Sequence, residues 1–209
     1  LQGREMASVN ISDSVGIMLE GTAGTSVEAY QTSGGWTNIG SSTGRDGVAA
    51  ATSNTDSPGA GNSARILYFG GNLGVTYYNE LKETVIDDVI AVGTTSLIGT
   101  VAPALQYASA FKVVDDEIMV VGGRDDSLHY TTVFQVDNGG TSTSKNPLPF
   151  LSKSDMASVV NGGKAFFFGG ITSNDSVISD VLSFDISTET WSFEGKTMMP
   201  TRNSTATIV

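Results

Sequence analysis

The sequence predicts an all-β fold made of repeated four-stranded units. An apolar segment that ends in glycine occurs four times, with first glycines at Gly21, Gly70, Gly122 and Gly169, about 50 residues apart. A stretch of small and apolar residues precedes each copy, and an alternating apolar and polar stretch follows it. The 3.6-residue period of an amphipathic helix is not seen in the sequence. Each unit is therefore expected to fold as a set of short antiparallel strands.

The first two strands of each unit have the clearest patterns. First strands begin at Arg4, Arg45, Leu105 and Ser154, and a fifth begins at Arg202. The second strand is the apolar segment, as in "AFFFGG" at 165–170. A strand covered by neighbouring units on both faces can be apolar at every position, so the three phenylalanines are predicted to be core residues. The glycines supply backbone angles or a close approach that a side chain would prevent.

The third and fourth strands complete the unit. Third strands are predicted at 27–32, 87–93, 131–137 and 179–185, and fourth strands are clearest around Trp36 and Trp191. The predicted units are 1–40, 41–101, 102–148 and 149–200, with 201–209 opening a further unit. A stretch rich in Ser, Gly and Asn at 52–64 is predicted to be a surface loop in the second unit.

A repeated four-stranded unit of about 50 residues is typical of a β-propeller blade. In the fourth unit the diglycine is followed by Asp180, Val181, Phe184 and Asp185, then by Trp191, and then by Met-Pro-x-Arg at 199–202. This pattern resembles the kelch repeat. The resemblance covers nearly the whole chain and is weakest in the first unit, where Glu20-Gly21-Thr22 stands in place of the expected diglycine. It implies a propeller of kelch type with four-stranded antiparallel blades, part of a ring completed by further blades, by a partner chain or by self-association.

The loops after the diglycines and the connections between units are expected on one face of the propeller. This face is the predicted site for a protein or glycan ligand, because loops on a rigid scaffold often carry binding residues, and Tyr and Arg are enriched in binding hot spots. Its candidate residues are Arg45, Tyr77, Tyr78, Arg124, Asp125, His129 and Tyr130. The alternative is that these residues are ordinary solvated loop residues.

Composition excludes some classes of partner and site. The net charge of −11 disfavours nucleic acid and anionic membranes. No apolar stretch is long enough for a membrane helix, so membrane insertion is not expected. The chain has no cysteine and one histidine, which leaves no means of building the copper site of kelch-type oxidases that resemble galactose oxidase.

Other motifs with catalytic or metal-binding potential are better explained as turns. "GSSTG" at 40–44 has the hydrolase pattern, but no helix follows it. The acidic pairs at 87–88, 115–116 and 125–126 lack the spacing of a calcium loop. No catalytic residue, metal or cofactor is therefore predicted.

The favoured interpretation is a non-enzymatic interaction or structural module of a larger extracellular or cell-surface protein. Low charge and abundant Ser and Thr favour that location, and Asn10 and Asn174 are predicted N-glycosylation sites. A third sequon, Asn203, is expected to stay unmodified at the start of a buried strand. An intracellular kelch adaptor and a fragment of a secreted oxidase whose catalytic residues lie outside this segment remain as alternatives.

Overall fold

The computed structural model describes residues 7–12, 15–21, 24–41, 44–54, 63–87, 92–149 and 153–202. Every regular element in these ranges is a β-strand, which confirms the predicted all-β fold class. Among them there is no helix of the length and apolarity needed to cross a membrane. Ser42 and Thr43 of the "GSSTG" motif, most of the predicted loop at 52–64, Asp88 and Asn203 lie outside the described residues.

The strands form four antiparallel meanders, named blades 1 to 4 in chain order. Blade 1 contains β1 (Ala7–Ser12), β2 (Val15–Gly21), β3 (Gly24–Gln31) and β4 (Gly35–Ser41). Blade 2 contains β5 (Asp46–Thr52), β6 (Ala64–Leu73), β7 (Thr76–Tyr77), β8 (Glu80–Ile86) and β9 (Val92–Thr100), where the short β7 pairs with β6.

The last two blades have the same layout. Blade 3 contains β10 (Ser109–Val114), β11 (Glu117–Val121), β12 (Val133–Asp137) and β13 (Ser142–Ser144). Blade 4 contains β14 (Lys153–Ser154), β15 (Ala157–Asn161), β16 (Lys164–Phe168), β17 (Ile171–Thr172), β18 (Asp180–Asp185) and β19 (Thr190–Lys196), with β14 and β17 as a separate short pair.

The prediction for the third strand of blade 2 is wrong. The strand expected at 87–93 is instead β8, which pairs with β6 through Phe69 and Leu81, and the fourth strand is β9. Lys82 and Glu83 obscured the pattern, because both are charged and yet buried in this strand. Glu83 is compensated by an ion pair to Arg65, with 2.6 Å between nitrogen and oxygen.

The first strands of successive blades lie side by side, since β5 contacts both β1 and β10, and β10 contacts β15. They therefore surround the centre of the array, and the later strands extend outwards. Apolar clusters fill the spaces between consecutive blades. Aromatic edge contacts join them, as between Phe69 and Phe134, whose ring centroids are 5.1 Å apart.

The three phenylalanines of "AFFFGG" do not share one environment. Phe167 is buried and contacts Phe111 of blade 3 at 5.8 Å between centroids. Phe166 and Phe168 are only half-buried, because they point to the side of blade 4 that faces away from blade 3. The prediction that all three are core residues is therefore confirmed for Phe167 and is wrong for Phe166 and Phe168.

Candidate functional site

In blades 2, 3 and 4 the diglycine packs against the connector, which is the segment that follows the last strand of the blade. The first glycine has a positive φ, and an added Cβ would collide with a carbonyl oxygen of that connector. The distances from such a Cβ to the oxygen are 2.3 Å for Gly70 and Leu105, 2.3 Å for Gly122 and Lys153, and 2.2 Å for Gly169 and Thr201. The predicted close approach is thus present in three blades, and its partner is backbone from the following blade.

Three backbone hydrogen bonds close each of these junctions. In blade 2 the Gly71 amide donates to the Leu105 oxygen at 2.7 Å, the Leu105 amide donates to the Tyr78 oxygen at 3.2 Å, and the Tyr78 amide donates to the Gly71 oxygen at 3.0 Å. The same ring recurs twice, through Gly123, Lys153 and Tyr130, and through Gly170, Thr201 and Ile178. Tyr78 and Tyr130 therefore occupy equivalent positions, and their backbones fix the junction.

A buried cation lies beside the diglycine of blade 2. Arg45 is only 4% exposed. It pairs with Glu80, donates to the Gly70 oxygen at 3.3 Å, and lies 3.6 Å from the ring centre of Tyr78. The neighbouring guanidinium holds the pKa of Glu80 below its usual value. The expectation that Arg45 is displayed to a ligand does not hold, because its side chain is enclosed by these contacts.

The loops and connectors of one side define a surface called here the diglycine face. It comprises residues 45–47, 72–79, 105–108, 124–130, 153–156, 171–178 and 199–202. Near its centre, Gly47, Tyr107 and Asp155 occupy equivalent positions and all have positive φ. The Tyr107 amide donates to the Gly47 oxygen at 2.8 Å and the Asp155 amide to the Tyr107 oxygen at 2.9 Å. This backbone chain holds two side chains in a conformation that non-glycine residues seldom adopt.

Arg124 links these two side chains. Its guanidinium carbon lies 4.8 Å from the ring centre of Tyr107, and its Nε lies 3.8 Å from Asp155 Oδ2. The Asp155 side chain is 2% exposed, and burial raises its pKa, although Ser154 and Arg124 oppose the shift. The cluster is therefore an aromatic ring, a cation and a carboxyl group held together at the inner edge of blades 3 and 4.

His129 joins the same cluster through Ser154. Its Nδ1 is 3.3 Å from Ser154 Oγ, and Ser154 Oγ donates to Asp155 Oδ2 at 2.5 Å. Burial, and then the charge of Arg124, lower the pKa of His129, so the imidazole is neutral at pH 7. A hydrolase triad would require the carboxylate on the histidine and an accessible serine. Here the carboxylate contacts the serine, which is fully buried.

A second polar cluster spans blades 2 and 3. Tyr77 Oη donates to the Asp126 carboxylate, and Gln106 Nε2 donates to Tyr77 Oη at 3.4 Å. Burial, followed by the hydrogen bond to Asp126, raises the pKa of Tyr77 to about 12, so the phenol keeps its proton. Tyr77 and Asp126 thus meet on this face, whereas Gln106 was not among the predicted residues.

Asp125 and Tyr130 shape the loop rather than project from it. Asp125 Oδ1 accepts hydrogen bonds from the Ser127 and Leu128 amides, both at 2.7 Å, and Oδ2 accepts one from Tyr130 Oη at 2.6 Å. The bond from Tyr130 is the main cause of a lowered pKa for Asp125. These contacts hold Asp126 and Leu128 outwards.

The opposite end of the array also has an opening. It is a cavity of about 610 Å³ whose lining includes Asn10, Ser12, Thr52 and Lys112. The sequon at Asn10 therefore stands at the rim of this cavity, while Asn174 is exposed on the diglycine face. Their glycosylation remains a prediction.

Comparison with known proteins shows which repeat and which fold this chain resembles. Residues 154–196 match the family model described as a kelch motif. Blade 4 is therefore similar to a kelch repeat. The structure of YjhT, a kelch-type propeller, is similar to this chain with a TM-score of 0.72 at 15% identity, over 95% of this chain and 68% of that one. At this identity the similarity shows the fold alone, which is that of a kelch-type β-propeller. No curated protein matches the sequence.

A kelch motif in a propeller supports an interaction or structural module. The sequence reasoning missed Gln106, Tyr107, Ser154 and Asp155 on the diglycine face. Their positions in the repeat could have identified them, because each lies at or next to the start of a predicted first strand. Arg45, at the same position in blade 2, was among the predicted residues.

Proposed function

We propose that the chain is a non-enzymatic interaction module that holds a protein ligand on the diglycine face. The observation that carries the proposal is the meeting of side chains from three consecutive blades at the centre of that face. Tyr107, Arg124 and His129 are fixed there by contacts to other blades, so the surface is pre-organised.

The rigidity of this centre suits binding. Two of its side chains, those of Tyr107 and Asp155, belong to residues held at positive φ by hydrogen bonds between blades. Backbone in such a conformation persists when the surrounding structure determines it, and such positions are frequent in ligand-binding regions. Around the centre, the loops project exposed apolar side chains such as Leu128, at 57% exposure. A polar centre with apolar surroundings offers both hydrogen bonds and contact area.

The test is a selection of random dodecapeptides displayed on phage against the purified chain. We expect enriched peptides whose affinity falls at least about tenfold when Leu128→Ser and Asp126→Asn are combined. The matched control is Val114→Ser, since Val114 is 52% exposed at the opposite end of the blades. If selected peptides depend on Val114 and not on Leu128, the site is wrong. If a glycan array yields ligands and the peptide selection yields none, the ligand class is wrong.

We also propose that the module belongs to an extracellular or cell-surface protein, on the grounds of its composition and sequons. Mass spectrometry of the chain secreted from cultured eukaryotic cells tests this. Glycan on Asn174 is the expected result, because its side chain is exposed. Complete absence of modification at both Asn10 and Asn174 would remove the support that the sequons give.

A further inference from the structure

Carboxylates outnumber basic side chains on the diglycine face. Two of its basic side chains, Arg45 and Lys153, are neutralised by carboxylates just outside it, Glu80 and Asp180 respectively. In the described part of the face, the other carboxylates are Asp46, Asp125, Asp126, Asp155 and Asp175, and the other basic side chains are Arg124 and Arg202. The whole chain is also negatively charged, with a net charge of −11. A ligand that brings positive charge is favoured there by electrostatic complementarity.

Unpaired hydrogen-bond acceptors on the same face are an independent indication. Gln106 is 7% exposed, and its Oε1 has no hydrogen-bond donor among the described residues. Its Nε2 donates to Tyr77 Oη, so the amide lies beside the Tyr77 and Asp126 cluster. The oxygens Asp46 Oδ1 and Asn72 Oδ1, also on this face, are buried and likewise unpaired in the described structure. Buried acceptors without donors are costly and leave negative potential uncompensated near the surface, which favours a positively charged partner.

Exposed apolar side chains accompany these acceptors. Val75 is 88% exposed, Leu128 57% and Val177 38%, so each of the three diglycine loops carries at least one exposed apolar side chain. Met199 is 72% exposed in the connector that follows blade 4. Scattered exposed apolar residues are ordinary on a protein surface. Here, however, every diglycine loop in the described structure carries at least one, on the same face as the exposed carboxylates of Asp126 and Asp175.

We infer that the partner held by the diglycine face is a basic protein segment whose Lys or Arg side chains alternate with apolar ones. This rests on the proposed function and adds the chemistry of the partner. Its ammonium or guanidinium groups would donate to the exposed carboxylates of Asp126 and Asp175, and its apolar side chains would cover Leu128 and Val177. Guanidinium has five donors, which matches a surface rich in acceptors.

The test uses two fluorescein-labelled dodecapeptides. One contains Leu, Arg and Gly, and the other has Glu in place of every Arg. Fluorescence anisotropy is expected to show binding of the Arg peptide alone. The combination Asp126→Asn and Asp175→Asn should weaken that binding about tenfold or more. The combination Glu28→Gln and Glu194→Gln removes the same charge from the third strand of blade 1 and the fourth strand of blade 4, and should change it less than about twofold. Binding is measured before and after enzymatic deglycosylation, because a glycan on Asn174 would stand next to Asp175.

Equal weakening by both combinations would overturn the inference, because the attraction would then be to net charge and not to this face. Binding of the Glu peptide in preference to the Arg peptide would also overturn it. These outcomes can be separated from failure of the proposed function. If the dodecapeptide selection yields Leu128-dependent ligands that are acidic or uncharged, the diglycine face is a binding site and only the basic partner is wrong.

Discussion

In blades 2 and 4 an ion pair joins the segment before the first main strand to the start of the third, whereas in blade 3 the equivalent positions carry no charge. Lys153 takes the place of Arg45, and Asp180 takes that of Glu80. In blade 3 the equivalent positions are Leu105, which is 1% exposed, and Thr132. The backbone hydrogen bonds are nevertheless the same in all three blades.

The difference shows which part of the repeat is obligatory. Glycine and backbone hydrogen bonds recur in every junction of the described structure, while the buried cation can be replaced by leucine. This agrees with the general finding that a buried ion pair can often be exchanged for apolar packing, although loss of one partner alone is destabilising. The glycines should therefore be less tolerant of substitution than the charged residues.

The largest expected effect is that of Gly122→Ala. The new Cβ would lie 2.3 Å from the Lys153 oxygen at a φ of +68°, so the connector must move and its hydrogen bonds must break. Destabilisation should exceed about 3 kcal/mol in urea unfolding. The matched control is Gly162→Ala, which has a φ of +58° and no atom within 4 Å; backbone strain alone should cost about 1–2 kcal/mol. Equal losses would show that strain, and not the close approach, is decisive.

The next effect concerns the ion pair of blade 4. Asp180→Asn leaves the Lys153 ammonium, whose side chain is 2% exposed, without its carboxylate at 3.2 Å. We expect a loss of about 3 kcal/mol. Lys153→Met should cost less, about 1–2 kcal/mol, because the Asp180 side chain is 29% exposed and can be hydrated. Chemical denaturation of both variants measures this asymmetry, and the reverse order would contradict it.

A smaller effect is expected from pH in blade 2. The folded state lowers the pKa of Glu80 from the ordinary value of 4.5. The resulting stability is therefore fully present above that value and is lost as the pH falls through the folded-state pKa. Glu80→Gln should be less stable than the wild type at pH 7, and the difference should shrink on acidification below pH 4.5. A difference that stays constant between pH 7 and pH 3 would show that the ionised form is not what stabilises the junction.

The smallest change, and one of opposite sign, is expected from Thr132→Val in blade 3. Thr132 Oγ1 is buried and has no hydrogen-bond partner in the described structure. Its replacement by a methyl group of similar shape should leave the protein equally stable or more stable by up to about 1 kcal/mol. A loss above about 1 kcal/mol in thermal or chemical unfolding would show that the hydroxyl contributes to the junction after all.

Inner and outer blades differ in a related way. The second strands of blades 2 and 3 are buried at nearly every position, because a blade lies on each side. In blade 4 burial alternates along β16. A short apolar run therefore does not show how many of its faces are covered, and Phe166 and Phe168 could not be distinguished from Phe167 by sequence alone.

The sequence alone determined the repeat, the all-β class and the role of the diglycines, because strand alternation and glycine positions are local properties repeated along the chain. The kelch-like pattern around Trp191 was also recognisable in the sequence, and the family model matches the same stretch, at 154–196. Charged residues within strand β8 misled the strand assignment in blade 2.

The tertiary structure decided which side chains are paired and which face the solvent. Arg45 lies beside the expected loops, yet its exposure depends on Glu80 at the start of β8 and on Tyr78 in the loop before it. Tyr107 and Asp155 become neighbours of Arg124 only when blades 3 and 4 pack together. Local pattern specifies strands and turns, whereas contacts between distant parts of the chain depend on how the blades are arranged around their common centre.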